Sequence, residues 1–189
     1  MAQWPISPEL SDIKITSFAP TAVSVTQSLN RQVRSRGVQR WRLSGSYPPL
    51  LRDDAAVVYA FMMTLQGRFG TCTFIPDGVG STRGTASGTA NVNGSGHNTG
   101  GTTIACDGFS GTLKAGDFIK FNGHDKVYML TADATTSMEI QPPLLNDVAD
   151  DEVIIYNDVP FTVALMSDTS ELSLDVILYG IDVSFVEAV

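Results

Sequence analysis

Cysteine, histidine and long apolar runs are all scarce in this chain of 189 residues. Cys72 and Cys106 are too few and too far apart for a disulfide framework or a thiolate zinc site, and they read as small buried thiols. His97 and His124 are the only imidazoles. Neither has a second His or Cys at ligand spacing, so both read as solvated turn residues rather than metal ligands or bases. No run approaches the roughly 18 apolar residues of a membrane span, and the stretch Met1 to Pro5 lacks the basic and apolar regions of a signal peptide. The expectation is a chain made and first folded in a cytoplasm, without membrane insertion.

Chemistry-bearing motifs are equally thin. Gly78-Val79-Gly80 and Gly94-Ser95-Gly96 lack the third glycine of a dinucleotide fingerprint and open no helix. No Gly-x-Ser-x-Gly occurs, and no nucleophile sits near a base in sequence. Asp147, Asp150, Asp151 and Glu152 cluster before a strand, but without EF-hand spacing they read as a solvated acidic loop. Asn93-Gly94-Ser95 fits a glycosylation acceptor, and without a secretory signal it means only a turn. The expected inventory holds no catalytic residue, no cofactor and no metal, and the chain is not expected to be an enzyme.

What the sequence does have is charge of both signs, unevenly placed. The net charge is −8. Residues 1–76 carry eight basic side chains against four acids, whereas residues 77–189 carry four against sixteen. Opposite faces of this kind suit head-to-tail pairing of copies, the condition for a ring. The run Arg31, Arg34, Arg36, Arg40 and Arg42 supplies five of the eight basic side chains of residues 1–76. Clustered guanidinium groups also suit phosphates, but the acidic total and the lack of interleaved aromatics other than Trp41 argue against nucleic-acid recognition. These five arginines are therefore taken as the candidate interface with a neighbouring subunit or protein.

The stretch Trp41 to Asp77 organises the rest. Val58, Phe61, Met62 and Leu65 recur at i, i+3, i+4 and i+7, which predicts one amphipathic helix over about 54–66. Pro48 and Pro49 stop the strand before it, Asp53 or Asp54 suits its cap, and Gly67 suits a left-handed C-terminus with Arg68 at the negative end. Trp41 and Leu43 point to the core while Val38, Arg40, Arg42 and Ser44 share the other face. Alternation in Asp12 to Phe18 and in Thr21 to Thr26 predicts half-buried strands, and Met1 to Asp12, with Pro5 and Pro8, an extended arm.

Ten of the seventeen glycines lie between Gly78 and Gly111, where alternation in Gly88 to Gly94 and Thr102 to Cys106 predicts strands joined by glycine-rich loops, with a mobile loop over 94–101. Phe118 to Phe121 and Lys126 to Thr131 flank Asn122-Gly123, a hairpin signal, and Ser137 to Gln141 and Glu152 to Tyr156 follow. Five or six short strands without a helix suit a small Greek-key barrel such as an OB-fold. Beyond it, Phe161 to Met166 and Leu172 to Glu187, with a bend at Gly180, read as long strands returning to the first 76 residues. The expected fold is mainly β. A β-sandwich-like, ring-forming domain of residues 1–76 plus 158–189 with one α-helix is interrupted by an OB-fold-like β-barrel at 77–157.

Trp41-Arg42-Leu43 through Pro48-Pro49, the Ala60-Phe61 to Leu65 segment, Gly67-Arg68 and Thr73-Phe74 together resemble the N-terminal half of phage tail-tip proteins. Leu113 to Asp117, Lys126-Val127-Tyr128 and Ile140 to Leu144 resemble the inserted segment of the distal tail protein (Dit) family of long flexible-tailed siphophages. The resemblance spans most of the chain in the right order. It implies a ring of six copies, a virion protein at the distal end of the tail assembled in the host cytoplasm. It further implies that the ring connects the tail tube protein to tail-tip or baseplate hub proteins, with the barrel peripheral to it and no catalytic residues. The alternative reading is a glycan-binding module recognising host-surface polysaccharide through the barrel.

Overall fold

The computed structural model describes residues 2–94, 97–175 and 177–189. Within them the chain is mainly β, with one helix and a closed six-stranded barrel. In order the elements are β1 (Ala2–Gln3), β2 (Ser11–Phe18), β3 (Thr21–Val25), β4 (Arg31–Ser35), β5 (Arg40–Ser46), α1 (Arg52–Thr64), β6 (Thr71–Phe74), β7 (Ser87–Val92), β8 (Thr103–Ser110) and β9 (Phe118–Phe121). They continue with β10 (Val127–Leu130), β11 (Ser137–Gln141), β12 (Val153–Ile155), β13 (Phe161–Leu165), β14 (Ser173–Asp175), β15 (Leu178–Gly180) and β16 (Asp182–Glu187).

The main sheet runs β1-β6-β13-β16-β5-β2, antiparallel except for the β1–β6 pair. Its register follows from alternation. Phe74 lies opposite Phe161, Cys72 opposite Val163, Leu165 opposite Phe185, and Phe185 opposite Leu43, which gathers the large apolar side chains on one face. Thr73 opposite Thr162, and Ser184 opposite Ser44 opposite Lys14, fall on the other face.

The inner face is covered by α1 and by one wall of the barrel, whose Phe118 and Val127 join the same core as Val58, Met62 and Leu65. Strand β9 is buried along its whole length because it serves two cores. Phe118 lies edge-on to Trp41 and Phe161 at 5.2 and 5.5 Å, while Ile119 and Phe121 fill the barrel interior.

The barrel closes in the order β10-β11-β8-β7-β12-β9, with every neighbouring pair antiparallel. It has six strands where an OB-fold has five. Ala90, Ile104, Phe121, Tyr128, Met138 and Ile154 fill it.

Several expectations need correction. The helix starts two residues earlier than expected, at Arg52, with Leu51 at the N-cap and no side-chain cap; Asp53 and Asp54 act from the first turn, on the helix dipole. Gly67 is left-handed as expected, and Gln66 before it is too. The N-terminal stretch is docked: Trp4 is buried, donates Nε1–H to the Tyr47 hydroxyl at 2.9 Å, and meets Phe185 and Phe61 edge-on.

Strand β3 is fully exposed, not half-buried, and it pairs with β4, a strand the arginine run concealed. Residues 173–175 and 178–180, read as part of the long strand run from Leu172 to Glu187, instead pair with each other as the β14–β15 ribbon. Ser95, Gly96 and Val176, which belong to the glycine motif, the acceptor tripeptide, the loop over 94–101 and that long strand, lie outside the described residues.

Phe185 stacks on Phe74 at 5.4 Å and meets Trp4 edge-on at 4.8 Å. Truncation there removes the centre of the inner face. Phe185→Ala is expected to cost about 3–5 kcal/mol, read as a lowered denaturant midpoint with an unchanged slope.

Candidate functional site

Two regions carry polar organisation beyond ordinary strand pairing: the junction between sheet and barrel, and the two ribbons that leave the sheet. The junction is built on Glu187. Alternation along β16 puts Val183, Phe185 and Glu187 on the inward face, so a carboxylate arrives at the core without solvent. Its Oε1 accepts the Val127 N–H at 2.8 Å, and its Oε2 accepts the Trp41 N–H at 3.1 Å and the Lys126 ammonium.

Lys126 Nζ also donates to the backbone carbonyl and side-chain oxygen of Gln39 at 3.1 and 2.7 Å. Trp41 Nε1–H returns a bond to the Val127 carbonyl at 2.8 Å. Burial pushes the Lys126 pKa down, and Glu187 restores it only in part. Beside this group, Lys120 Nζ reaches the Pro160 carbonyl and the Thr162 hydroxyl, both at 3.2 Å, and Thr162 donates to Asp125 at 2.8 Å.

A second clasp holds the connection entering the barrel. The buried Asp117 carboxylate accepts the Thr82 hydroxyl, the Lys114 N–H at 2.9 Å, and the Arg83 N–H and Nε–H at 3.2 Å. Gly84 is required here because a Cβ would run into the Thr112 carbonyl. Burial opposes ionisation of Asp117, but the Thr82, Lys114 and Arg83 donors outweigh it and hold the carboxyl below its usual value.

The five arginines divide between two elements. Arg31 and Arg34 lie on β4, on opposite faces of the β3–β4 ribbon, since Val25 faces Arg31 and Ala22 faces Arg34 in register. Arg36 follows at the ribbon's base, where its N–H reaches the Pro20 carbonyl at 3.3 Å. Arg40 and Arg42 sit on the outer face of β5. Arg42 stacks its guanidinium 4.0 Å from the Phe18 ring centroid, a cation–π contact, and Arg40 reaches the Val189 carbonyl at 3.4 Å. No contiguous arginine patch results.

Sequence reasoning missed the buried junction. Its signal was available in the inward register of Glu187 and in Lys120 and Lys126 within apolar strands. His124 is likewise not a solvated turn residue: its Nε2 lies 3.2 Å from Glu152 Oε1, with both side chains mostly buried. Asp147 and Asp150 accept loop N–H groups of Thr99 and Gly94 at 2.7 and 2.8 Å. The Cys72 and Cys106 thiols are buried, which pushes their pKa values up to about 12 and about 11. Among the described residues no helix is long and apolar enough to cross a membrane.

No protein-family model matches the chain, and no curated protein matches it.

Glu187 serves two backbone donors besides its ion pair. Glu187→Leu is expected to destabilise by about 3–5 kcal/mol, and adding Lys126→Met is not expected to restore wild-type stability, because the Trp41 and Val127 N–H groups stay orphaned; chemical denaturation of the three proteins checks this. For Asp117, a folded-state pKa below the unfolded value of about 3.9 means its contribution is complete above that value and is lost as pH falls toward the folded pKa. Asp117→Asn is expected to lower stability at neutral pH and to flatten the acid limb of a melting-temperature profile.

Proposed function

We propose that this protein is a structural phage tail-tip subunit, a ring-forming adaptor connecting the tail tube to the distal tip or baseplate. The observation that carries this reading is the β3–β4 ribbon. All ten residues of its two strands are exposed, and a two-stranded hairpin alone is at best marginally stable in water. Its Val23, Val25 and Val33 share one face and are each at least half exposed, beside Arg31. An ordered ribbon with an apolar stripe and guanidinium groups suits a segment that completes itself on a neighbour.

The resemblance of the Trp41 to Phe74 and Leu113 to Leu144 motifs to distal tail proteins supports the same reading and supplies its setting. Copies close into a hexameric ring, with the tail tube protein on one side and hub proteins on the other. No catalytic step is involved; the function is assembly geometry. The glycan-binding alternative has less support, since the barrel's Phe118, Phe121, Tyr128 and Tyr156 are buried and only Phe109 is half-exposed.

Light scattering on the purified chain at low salt is expected to give a mass near six copies, with symmetric rings in electron micrographs. Association is expected to weaken as salt rises, because exposed charges contribute to it. A chain that stays monomeric at every concentration and salt overturns the proposal.

A further inference from the structure

The chain carries a second ribbon, and it is the chemical complement of the first. Residues 19–39 contain Arg31, Arg34 and Arg36 and no acid, whereas residues 167–182 contain Asp168, Glu171, Asp175 and Asp182 and no base. Asp168 is held by Arg68 of the same chain. Glu171, Asp175 and Asp182, like Arg31, Arg34 and Arg36, form no ion pair among the described residues. The β14–β15 ribbon is also apolar where it is exposed: Leu174 is 60% and Ile177 68% accessible.

The two ribbons leave opposite ends of β5. Phe18, which leads into β3, lies opposite Arg40 at one end, and Asp182, which follows β15, lies opposite Ser46 at the other. Seven residues of strand separate those ends by about 20 Å. The ribbons therefore cannot satisfy each other within one molecule.

One ribbon carries a protruding apolar tip and the other borders an apolar cleft. At the tip of β3–β4, Leu29 is 83% exposed and left-handed at φ 60°, a conformation unfavourable for leucine. The turn around it is set by Thr26, whose hydroxyl accepts the Asn30 N–H at 3.2 Å and whose carbonyl accepts the Leu29 N–H at 2.9 Å. At the other end of the sheet, Tyr47, Pro49, Leu174, Leu178 and Tyr179 line a cleft of about 250 Å³ with Asp175 at its edge. Its floor is fixed by the paired backbone bonds between Leu50 and Tyr179 at 2.9 Å.

We infer that the β3–β4 ribbon of one copy docks on the β14–β15 ribbon of the next, with Leu29 seated in the Tyr47–Tyr179 cleft and Arg31, on the face of Val23, Val25 and Val33, turned toward Asp175, while Arg34 on the other face adds its charge to the attraction between the ribbons. The inference rests on the self-association proposed above and names its contact. The contact is heterologous, so each copy offers one donor and one acceptor end, and closure into a ring or continuation into a filament is set by the rotation between copies.

The test uses exposed positions, so each variant is first shown to fold by its far-ultraviolet dichroism and melting temperature. The pair Arg31→Glu/Arg34→Glu and the pair Glu171→Arg/Asp175→Arg are each expected to weaken self-association at least tenfold in sedimentation. An equimolar mixture of the two variants is expected to recover it, because each then finds a complementary ribbon on the other. A Leu29→Cys/Leu174→Cys variant under mild oxidation is expected to give a ladder of covalent multimers that either single cysteine lacks. Rings seen by microscopy together with no ladder and no effect of charge reversal overturn this contact while leaving the ring reading intact. A wild-type chain monomeric under all conditions overturns both.

Discussion

The buried Glu187 carboxylate is the constraint on which the architecture turns. It sits in the last strand of the chain, yet its hydrogen bonds go to Trp41 in the first half and to Lys126 and Val127 in the barrel. A carboxylate without water is tolerable only when its lone pairs are filled, and here they are filled by three donors from two distant segments at once. The polar cluster therefore has one low-energy arrangement, with β16 beside β5 and the barrel's β9–β10 hairpin seated over both. Hydrophobic burial favours any such packing; the carboxylate selects the register.

That selection makes the barrel a part of the core, not a bead on a tether. Phe118 and Val127 turn outward from the barrel and into the core of the sheet, while Ile119, Phe121 and Tyr128 turn inward. The hairpin serves as the second layer that a lone sheet needs to bury its apolar face. The Asp117 clasp then fixes the incoming connection by gathering Thr82, Arg83 and Lys114 on one carboxylate. Two buried acids thus set the orientation of barrel to sheet, and with it the direction in which the ribbons project.

How much of this was legible from residues alone divides along a physical line. Period-two and period-3.6 patterns are local, so the β-rich class, the single helix and its buried Val58, Met62 and Leu65, and the presence of a barrel could all be read. The Asn122-Gly123 turn was legible for the same reason, with Gly123 at φ 87°. Burial of a strand is not local. Thr21 to Val25 alternates as a half-buried strand does, yet nothing packs on it, and Arg31 to Ser35 was hidden as a strand by its charges. Leu172 to Gly180 read as strand because its apolar alternation runs on toward β16, although β14 and β15 pair with each other. Lys126 and Glu187 each look like surface residues in sequence; only the fold brings them together. His124 looks like a turn residue for the same reason, and its partner Glu152 lies across the barrel sheet.

The two misread strands are informative because they fail in the same way. Each has the alternation of a half-buried strand, yet β3 buries nothing within its own molecule and the second ribbon packs only through Tyr179, leaving Leu174 and Ile177 exposed. Val23, Val25 and Val33 share one face of the first ribbon, and a left-handed leucine stands exposed at its tip. An exposed strand pair with an apolar stripe is also an aggregation hazard, which charges of a single sign on each ribbon restrain by repelling like from like. With guanidinium groups on one ribbon and carboxylates on the other, like ribbons repel and unlike ribbons attract, so the hazard becomes directional. Placing the unlike ribbons at opposite ends of β5 then leaves another molecule as the place where either can be completed.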